Sequence, residues 1–195
     1  MIKKNIAIFA SGSGSNAEVI VKHFKQHSYI DVSCIFTNNK DAYVLQRANK
    51  LNIPAYIFVA NDIKQNGRIA ETLENERIDF IILAGYMKLI PEWMVYKYKN
   101  RIVNIHPALL PKYGGKGMYG SHVHEAVINA QESETGITIH IVNNEYDKGG
   151  ILYQASCPIL PNDNPKTLAE RIHKLEHQHY PRVIENYILS LNVSK

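Results

Sequence analysis

Short apolar runs alternate along the first half of the chain with longer stretches in which apolar residues recur every three or four positions. The runs at 5–10 (NIAIFA), 31–37 (DVSCIFT), 55–60 (AYIFVA), 79–85 (DFIILAG) and 101–106 (RIVNIH) are rich in β-branched and aromatic residues, and each predicts a strand. Helical patterns lie between them at 15–26, 42–50, 63–76 and 91–98. Strands that alternate with helices return in parallel, because each parallel return needs a crossover that covers a sheet face. The predicted class is therefore α/β: a Rossmann-like open, mostly parallel twisted sheet with helices on both faces. DFIILA is apolar almost throughout, as a central strand buried on both faces should be.

After residue 106 the pattern changes. PALLPKYGGKGMYGS holds two prolines and four glycines in fifteen residues and predicts a loop with special backbone needs. A short helix follows near 123–130. GITIHIV (136–142) and GILYQASCPI (150–159) are then expected to pair as a late antiparallel hairpin around NNEYDKG. From Pro165 to about Leu189 the pattern predicts one long closing helix with a kink or break at Pro181, which lacks an N–H.

At 195 residues and 45% hydrophobic content, the chain suits a single domain able to bury a core. Its net charge of +4 is spread along the chain, without the clusters of a nucleic-acid surface or a polybasic membrane anchor. Cys34 and Cys157 lie far apart in apolar runs and read as buried thiols of a reducing compartment. The N-terminal apolar run, at about six residues, is shorter than a secretory segment. No run reaches membrane-spanning length. The expected location is cytoplasmic.

The first strand leads into IFASGSGSNAEVI, where Gly12, Gly14 and Ala17 satisfy GxGxxA between a strand and a helix. A dinucleotide would want an acidic residue at the end of the second strand, but that strand ends Thr37, Asn38, Asn39. A phosphomonoester asks for less: N–H donors plus Ser13, Ser15 and Asn16. A plain tight turn with Ser15 capping the helix fits the same residues. The triphosphate-binding pattern GxxxxGK[ST] is absent.

In RIVNIHP, Asn104 and His106 sit two residues apart, so a strand projects both from one face near its C-terminal end. That edge of an open α/β sheet is where ligands bind. A polar strand end that satisfies loop carbonyls would look alike. Asp147, in the turn NNEYDKGG, could approach His106 if the late hairpin lies beside its strand. A carboxylate there would favour the imidazolium and raise the histidine pKa. HKLEH (173–177) matches the zinc-peptidase pattern HxxEH, and equally a polar helix face.

SGSGSN, ILAGYMKLI (82–90), NIHPALLPKY (104–113), HVHEAV (122–127), TGITIHIVNNEYDKGGIL (135–152) and the late LEHQHYPRVI together resemble the phosphoribosylglycinamide formyltransferases, of the folate-dependent formyltransferase superfamily. The resemblance runs from about residue 5 to 189. It implies formyl transfer from 10-formyltetrahydrofolate to glycinamide ribonucleotide in purine biosynthesis, by a monomer or homodimer, without metal, nucleic acid or membrane. It implies a phosphate-binding half at about 1–100 and a folate and catalytic half at about 80–195. The catalytic residues would be Asn104, His106 and Asp147. Ser13, Gly14, Ser15 and Asn16 would hold the phosphate and Glu176 the ribose. Met87, Lys88, Leu89 and Ile90 would line the folate pocket with Asn104, and Arg68 is the candidate arginine for folate. His122 and His140 would support the site. The link YGGKGMYGSH is longer than in many relatives, and Lys88 stands where many have Arg. Formyltetrahydrofolate hydrolase shares an Asn, His, Asp set, but resembles a longer chain with an N-terminal regulatory domain. Methionyl-tRNA formyltransferase carries an extra C-terminal domain. A non-catalytic nucleotide-binding module would bind without turnover.

Overall fold

The computed structural model describes residues 2–192. Its strands form one sheet in the order β3-β2-β1-β4-β5-β6-β7, from β1 (Lys4–Phe9), β2 (Ile30–Thr37), β3 (Ala55–Ile57), β4 (Phe80–Leu83), β5 (Ile102–His106), β6 (Glu134–Ile141) and β7 (Ile151–Pro158). The first five are parallel, while β6 runs antiparallel to β5 and β7 to β6, which gives the expected late hairpin.

Alternation along the strands divides the core into two layers. Ile6, Ile8, Ile82, Val103 and Ile105 face one side, where they meet α1 (Ser15–Phe24), α2 (Val44–Leu51), α5 (Ser121–Asn129) and α6 (Pro165–Asn192). Ala7, Phe9, Ile81, Leu83 and Ile102 face the other and pack under α3 (Arg68–Asn75) and α4 (Glu92–Lys97). Both faces of β1 and β4 are thus buried, which explains their nearly unbroken apolar runs. Cys34 and Cys157 are buried free thiols. No helix among the described residues is long and apolar enough to cross a membrane.

Two elements depart from the sequence pattern. The third strand is only three residues long, and 58–67 forms turns that delay α3 to Arg68. Asp62 explains this: its carboxylate accepts the Val59 N–H, and its carbonyl accepts the Ile69 N–H, so the backbone closes on itself instead of extending a sheet edge. The closing helix, in turn, runs through Pro181 without a break. Tyr180, fully buried beside it, places its hydroxyl 2.9 Å from the Leu83 carbonyl and 3.0 Å from that of Val103. This anchor to β4 and β5, with Ile184 and Ile188 buried on the same face, outweighs the one backbone bond that proline forfeits.

The chain passes from β1 outward through β2 and β3, then crosses back to β4 on the other side of β1. Ligand crevices open at such a reversal, beyond the carboxyl ends of the strands.

Candidate active site

A cavity of about 500 Å³ occupies that crevice. Its walls come from residues 12–16 after β1, 83–90 after β4, 104–107 at the end of β5, the loop 115–120, and the β6–β7 turn around Asp147.

At the first wall Gly14 caps α1 in a left-handed conformation with φ 73°. A side chain there would also collide with Val44, because the Val44 N–H donates to the Gly12 carbonyl and draws α2 beneath the turn. Arg47 of α2 donates to the Ser13 carbonyl at 2.9 Å and pairs with Glu18. Ser15 is therefore the first helical residue and not the cap, and no side chain caps this end of α1. The first N–H groups of the helix, left unpaired by the backbone, face the cavity with the positive end of the helix dipole. Gly12 differs from Gly14: an added methyl would meet nothing within 4 Å, since it would enter open space.

Beside this turn Asn16 donates to Glu176 of α6 at 2.8 Å, both residues being buried. Burial pushes the Glu176 carboxyl pKa up, with the Asn16 amide and His173 working against it.

The second cluster grows from the β5–β6 pairing. Asn104 lies directly opposite His140, so both side chains project from one face and meet at 3.0 Å. The His140 Nδ1 lies 3.0 Å from the Ile141 carbonyl, which can only accept, so the ring proton sits on Nδ1 and Nε2 accepts from the Asn104 amide. One amide hydrogen of Asn104 is left for a ligand. His106 is opposite Thr138, whose hydroxyl donates to the Ala108 carbonyl and accepts the Leu110 N–H, fixing the chain's exit from β5.

Asp147 completes the cluster. Its two carboxylate oxygens lie 3.6 Å from His106 Nδ1 and 3.6 Å from His140 Nε2, and the Gly115 N–H donates to one of them at 2.9 Å. The turn that presents it is tightly specified. Asp147 itself has φ 57°, and a side chain at Gly149 would strike the Ile141 carbonyl. Despite burial, the His140 ring, the nearby His106 and the Gly115 N–H hold the Asp147 carboxyl below its usual range.

The electrostatics of His106 differ from the sequence expectation. The ring is 3% exposed, and burial lowers its pKa despite the opposing pull of Asp147 and the Tyr113 carbonyl. The resting imidazole is thus neutral near pH 7, with its proton on Nε2, 2.7 Å from the Tyr113 carbonyl, and an open lone pair on Nδ1 facing Asp147. Desolvation of a cation outweighs one carboxylate at this distance.

Most of the expected residues line the one cavity: Ser13, Gly14, Ser15, Asn16 and Glu176 at one end, Met87, Lys88, Leu89 and Ile90 along the wall, and Asn104, His106, His140 and Asp147 together. Arg68 is not there. Its guanidinium is tied to the Ile57 carbonyl and the Asp62 carboxylate at the mouth of α3. His122 is also outside, exposed and stacked on Tyr119, whereas His124 lines the cavity and is 4% exposed. The signal for His124 lay in HVHEAV: on a helix, residues two apart point to nearly opposite sides, so only one of the pair can face inward. Tyr146 and His173, the first histidine of HKLEH, join the lining as well. The histidines of HKLEH stack with centroids 6.3 Å apart, and no group of three potential metal ligands occurs among the described residues.

The site can thus bind an anion at the start of α1, present a carboxamide N–H to a developing oxyanion, and shuttle a proton between an imidazole and a carboxylate. Comparisons with known proteins fit this chemistry. Residues 4–184 match the family model described as formyl transferase. The chloroplastic phosphoribosylglycinamide formyltransferase of Arabidopsis thaliana is 40% identical over 188 residues, which are 93% of this chain and 64% of the plant protein. The chain therefore spans just under two thirds of that relative. The phosphoribosylglycinamide formyltransferase of Haemophilus influenzae is 36% identical over 93% of this chain and 86% of its own length. The crystal structure of the Streptococcus pneumoniae phosphoribosylglycinamide formyltransferase superposes with a TM-score of 0.84 at 36% identity, covering 95% of this chain and 99% of the other.

Proposed function

The chain belongs to the formyl transferase family, and from that premise we propose that it transfers the formyl group of 10-formyltetrahydrofolate to the amine of glycinamide ribonucleotide. One observation carries this reading: a single carboxylate, Asp147, stands 3.6 Å from each of two buried imidazoles, beside Asn104, in the same cavity as the N–H groups of residues 12–16.

The ribonucleotide phosphate takes the turn at Ser13, Gly14, Ser15 and Asn16, where unpaired N–H groups and the helix dipole favour an anion. Glu176, its pKa raised by burial, receives the ribose hydroxyls. The folate ring takes the wall formed by Met87, Lys88, Leu89 and Ile90. An α-amino group ionises near pH 8, so the glycinamide amine arrives mostly as ammonium and must lose a proton to attack. Neutral His106 accepts that proton at Nδ1, and Asp147 stabilises the imidazolium. The free amine then adds to the formyl carbon. The oxyanion of the tetrahedral intermediate takes the spare N–H of Asn104, a contact worth about 2 to 4 kcal/mol when well aimed. As the bond from carbon to N10 breaks, His106 returns its proton to N10, and the surplus proton of the new amide leaves through Asp147.

Hydrolysis of the folate would use the same groups on water. An assay separates the two: folate release from 10-formyltetrahydrofolate is expected only when glycinamide ribonucleotide is present. Release at an equal rate without it would make the enzyme a hydrolase, and no release in either case would refute formyl-transfer chemistry here. The partners in this reading are the two small molecules, and the chain acts as a monomer or homodimer. The dispersed charge supports small-molecule rather than nucleic-acid partners, and the two free thiols support a reducing, cytoplasmic setting.

A further inference from the structure

One buried imidazole takes no part in the chemistry above. His124, in the first turns of α5, lines the cavity yet is only 4% exposed. Its Nδ1 is sealed from solvent without a hydrogen-bond partner, and among the described residues neither ring nitrogen has one. A buried polar atom left unpaired is unfavourable, so the ring sits there at a cost to folding. With Nδ1 closed off, Nε2 is the nitrogen able to meet a molecule in the cavity.

The position of His124 says which part of a substrate it would meet. The loop leading to α5 is bonded at its start to the catalytic cluster, through the Tyr113 carbonyl on His106 and the Gly115 N–H on Asp147. Helix α5 then packs against α6, which carries His173 and Glu176. His106 and His173 both lie close enough to His124 to disfavour its cation. The substrate proposed above would place its ribose by Glu176 and its reacting nitrogen by His106. The glycinamide segment joins those two points.

We propose that His124 binds the glycinamide arm of the ribonucleotide, the segment between ribose and reacting amine, by a hydrogen bond at Nε2. This rests on the proposed function and adds to it a residue that sets substrate selectivity. Burial first, and then the two neighbouring rings, lower the His124 pKa to about 4, so the ring is uncharged at neutral pH. An uncharged ring offers a hydrogen bond to an amide without repelling the adjacent ammonium.

The test compares glycinamide ribonucleotide with ribose 5-phosphate, which lacks the arm. His124→Phe keeps the ring shape and removes both nitrogens. It is expected to raise the KM for glycinamide ribonucleotide at least tenfold, with the ribose 5-phosphate Kd unchanged within twofold, and His124→Gln is expected to restore most of the loss. A KM within twofold of wild type for His124→Phe would overturn the proposal, as would parallel weakening of ribose 5-phosphate. Should the phenylalanine variant not fold, the ring resonances of His124 in the unaltered protein carry the test. They should shift on adding the ribonucleotide with folate absent, and stay put with ribose 5-phosphate; the same shift with both ligands overturns the proposal. Failure of the function itself is distinguishable, because unaltered protein would then show no transfer at all.

Discussion

Asp147 illustrates what one residue can and cannot announce. In the sequence it is a turn aspartate; in the fold it stands 3.6 Å from each of two buried imidazoles and accepts the Gly115 N–H. Asp147→Asn keeps the size and removes that charge, so it should lower kcat by about 10²- to 10⁴-fold, the usual range for a lost acid–base partner. Phosphate affinity, measured by calorimetry, should stay within twofold. The glycines of the first turn make a second, paired prediction. Gly14→Ala forces a left-handed φ of 73° on alanine and drives a methyl into Val44, so it should destabilise the fold by more than the 1 to 2 kcal/mol or so of the backbone strain alone. Gly12→Ala meets no protein atom within 4 Å, and should melt like the unaltered protein while weakening phosphate binding, because its methyl enters the open space proposed for the phosphate. Denaturation curves and phosphate titrations of the two variants check both halves. Two residues named from the resemblance lie outside the cavity. Arg68, the arginine that the resemblance offers for folate, has its guanidinium tied locally to Asp62 and the Ile57 carbonyl. His122 is exposed against Tyr119, and helix geometry turns His124 inward in its place.

Among the elements, α6 departs most from its sequence signals. Proline inside a helix normally breaks it, yet Pro181 lies within twenty-eight continuous helical residues. Packing decides this, through the hydroxyl of Tyr180 shared between the carbonyls of β4 and β5. Tyr180→Phe removes the hydroxyl that bridges these two carbonyls, and is expected to cost about 0.5 to 1.5 kcal/mol in urea unfolding. Because α6 also carries Glu176 and His173 into the cavity, the same variant should raise the ribonucleotide KM more than the folate KM. The strands were the most legible elements, since period-two and all-apolar runs report burial directly. The third strand came out short because an edge strand has little packing to enforce it, and Asp62 offered its backbone a local alternative.

For the whole molecule, pH dependence of stability follows from its buried imidazoles. Burial lowers the pKa of His106, His124 and His177 in the folded state, so below about pH 6.5 the unfolded chain takes up protons that the native protein refuses. Stability is therefore full above pH 6.5 and falls as pH drops toward about 4, the value for His124, by about 1.4 kcal/mol per pH unit for each proton of difference. Glu176 opposes this, since its raised pKa lets the native state hold a proton. Unfolding free energies at pH 7.5 and 5 should show the loss, and His124→Gln should flatten the slope by about one proton. An unchanged slope would mean that His124 is protonated in the native state.

The sequence by itself determined the α/β class, the parallel sheet with its late hairpin, the phosphate-suited turn, and the shared face of Asn104 and His106. These are consequences of local periodicity and of which residues can bear burial or a sharp turn. Only the tertiary structure decided that Asp147 would sit between His106 and His140, that His106 would rest neutral, that His124 rather than His122 would turn inward, and that α6 would run through its proline. Those outcomes depend on distances between segments far apart in the chain and on how completely water is excluded there, and neither quantity is written in any local pattern.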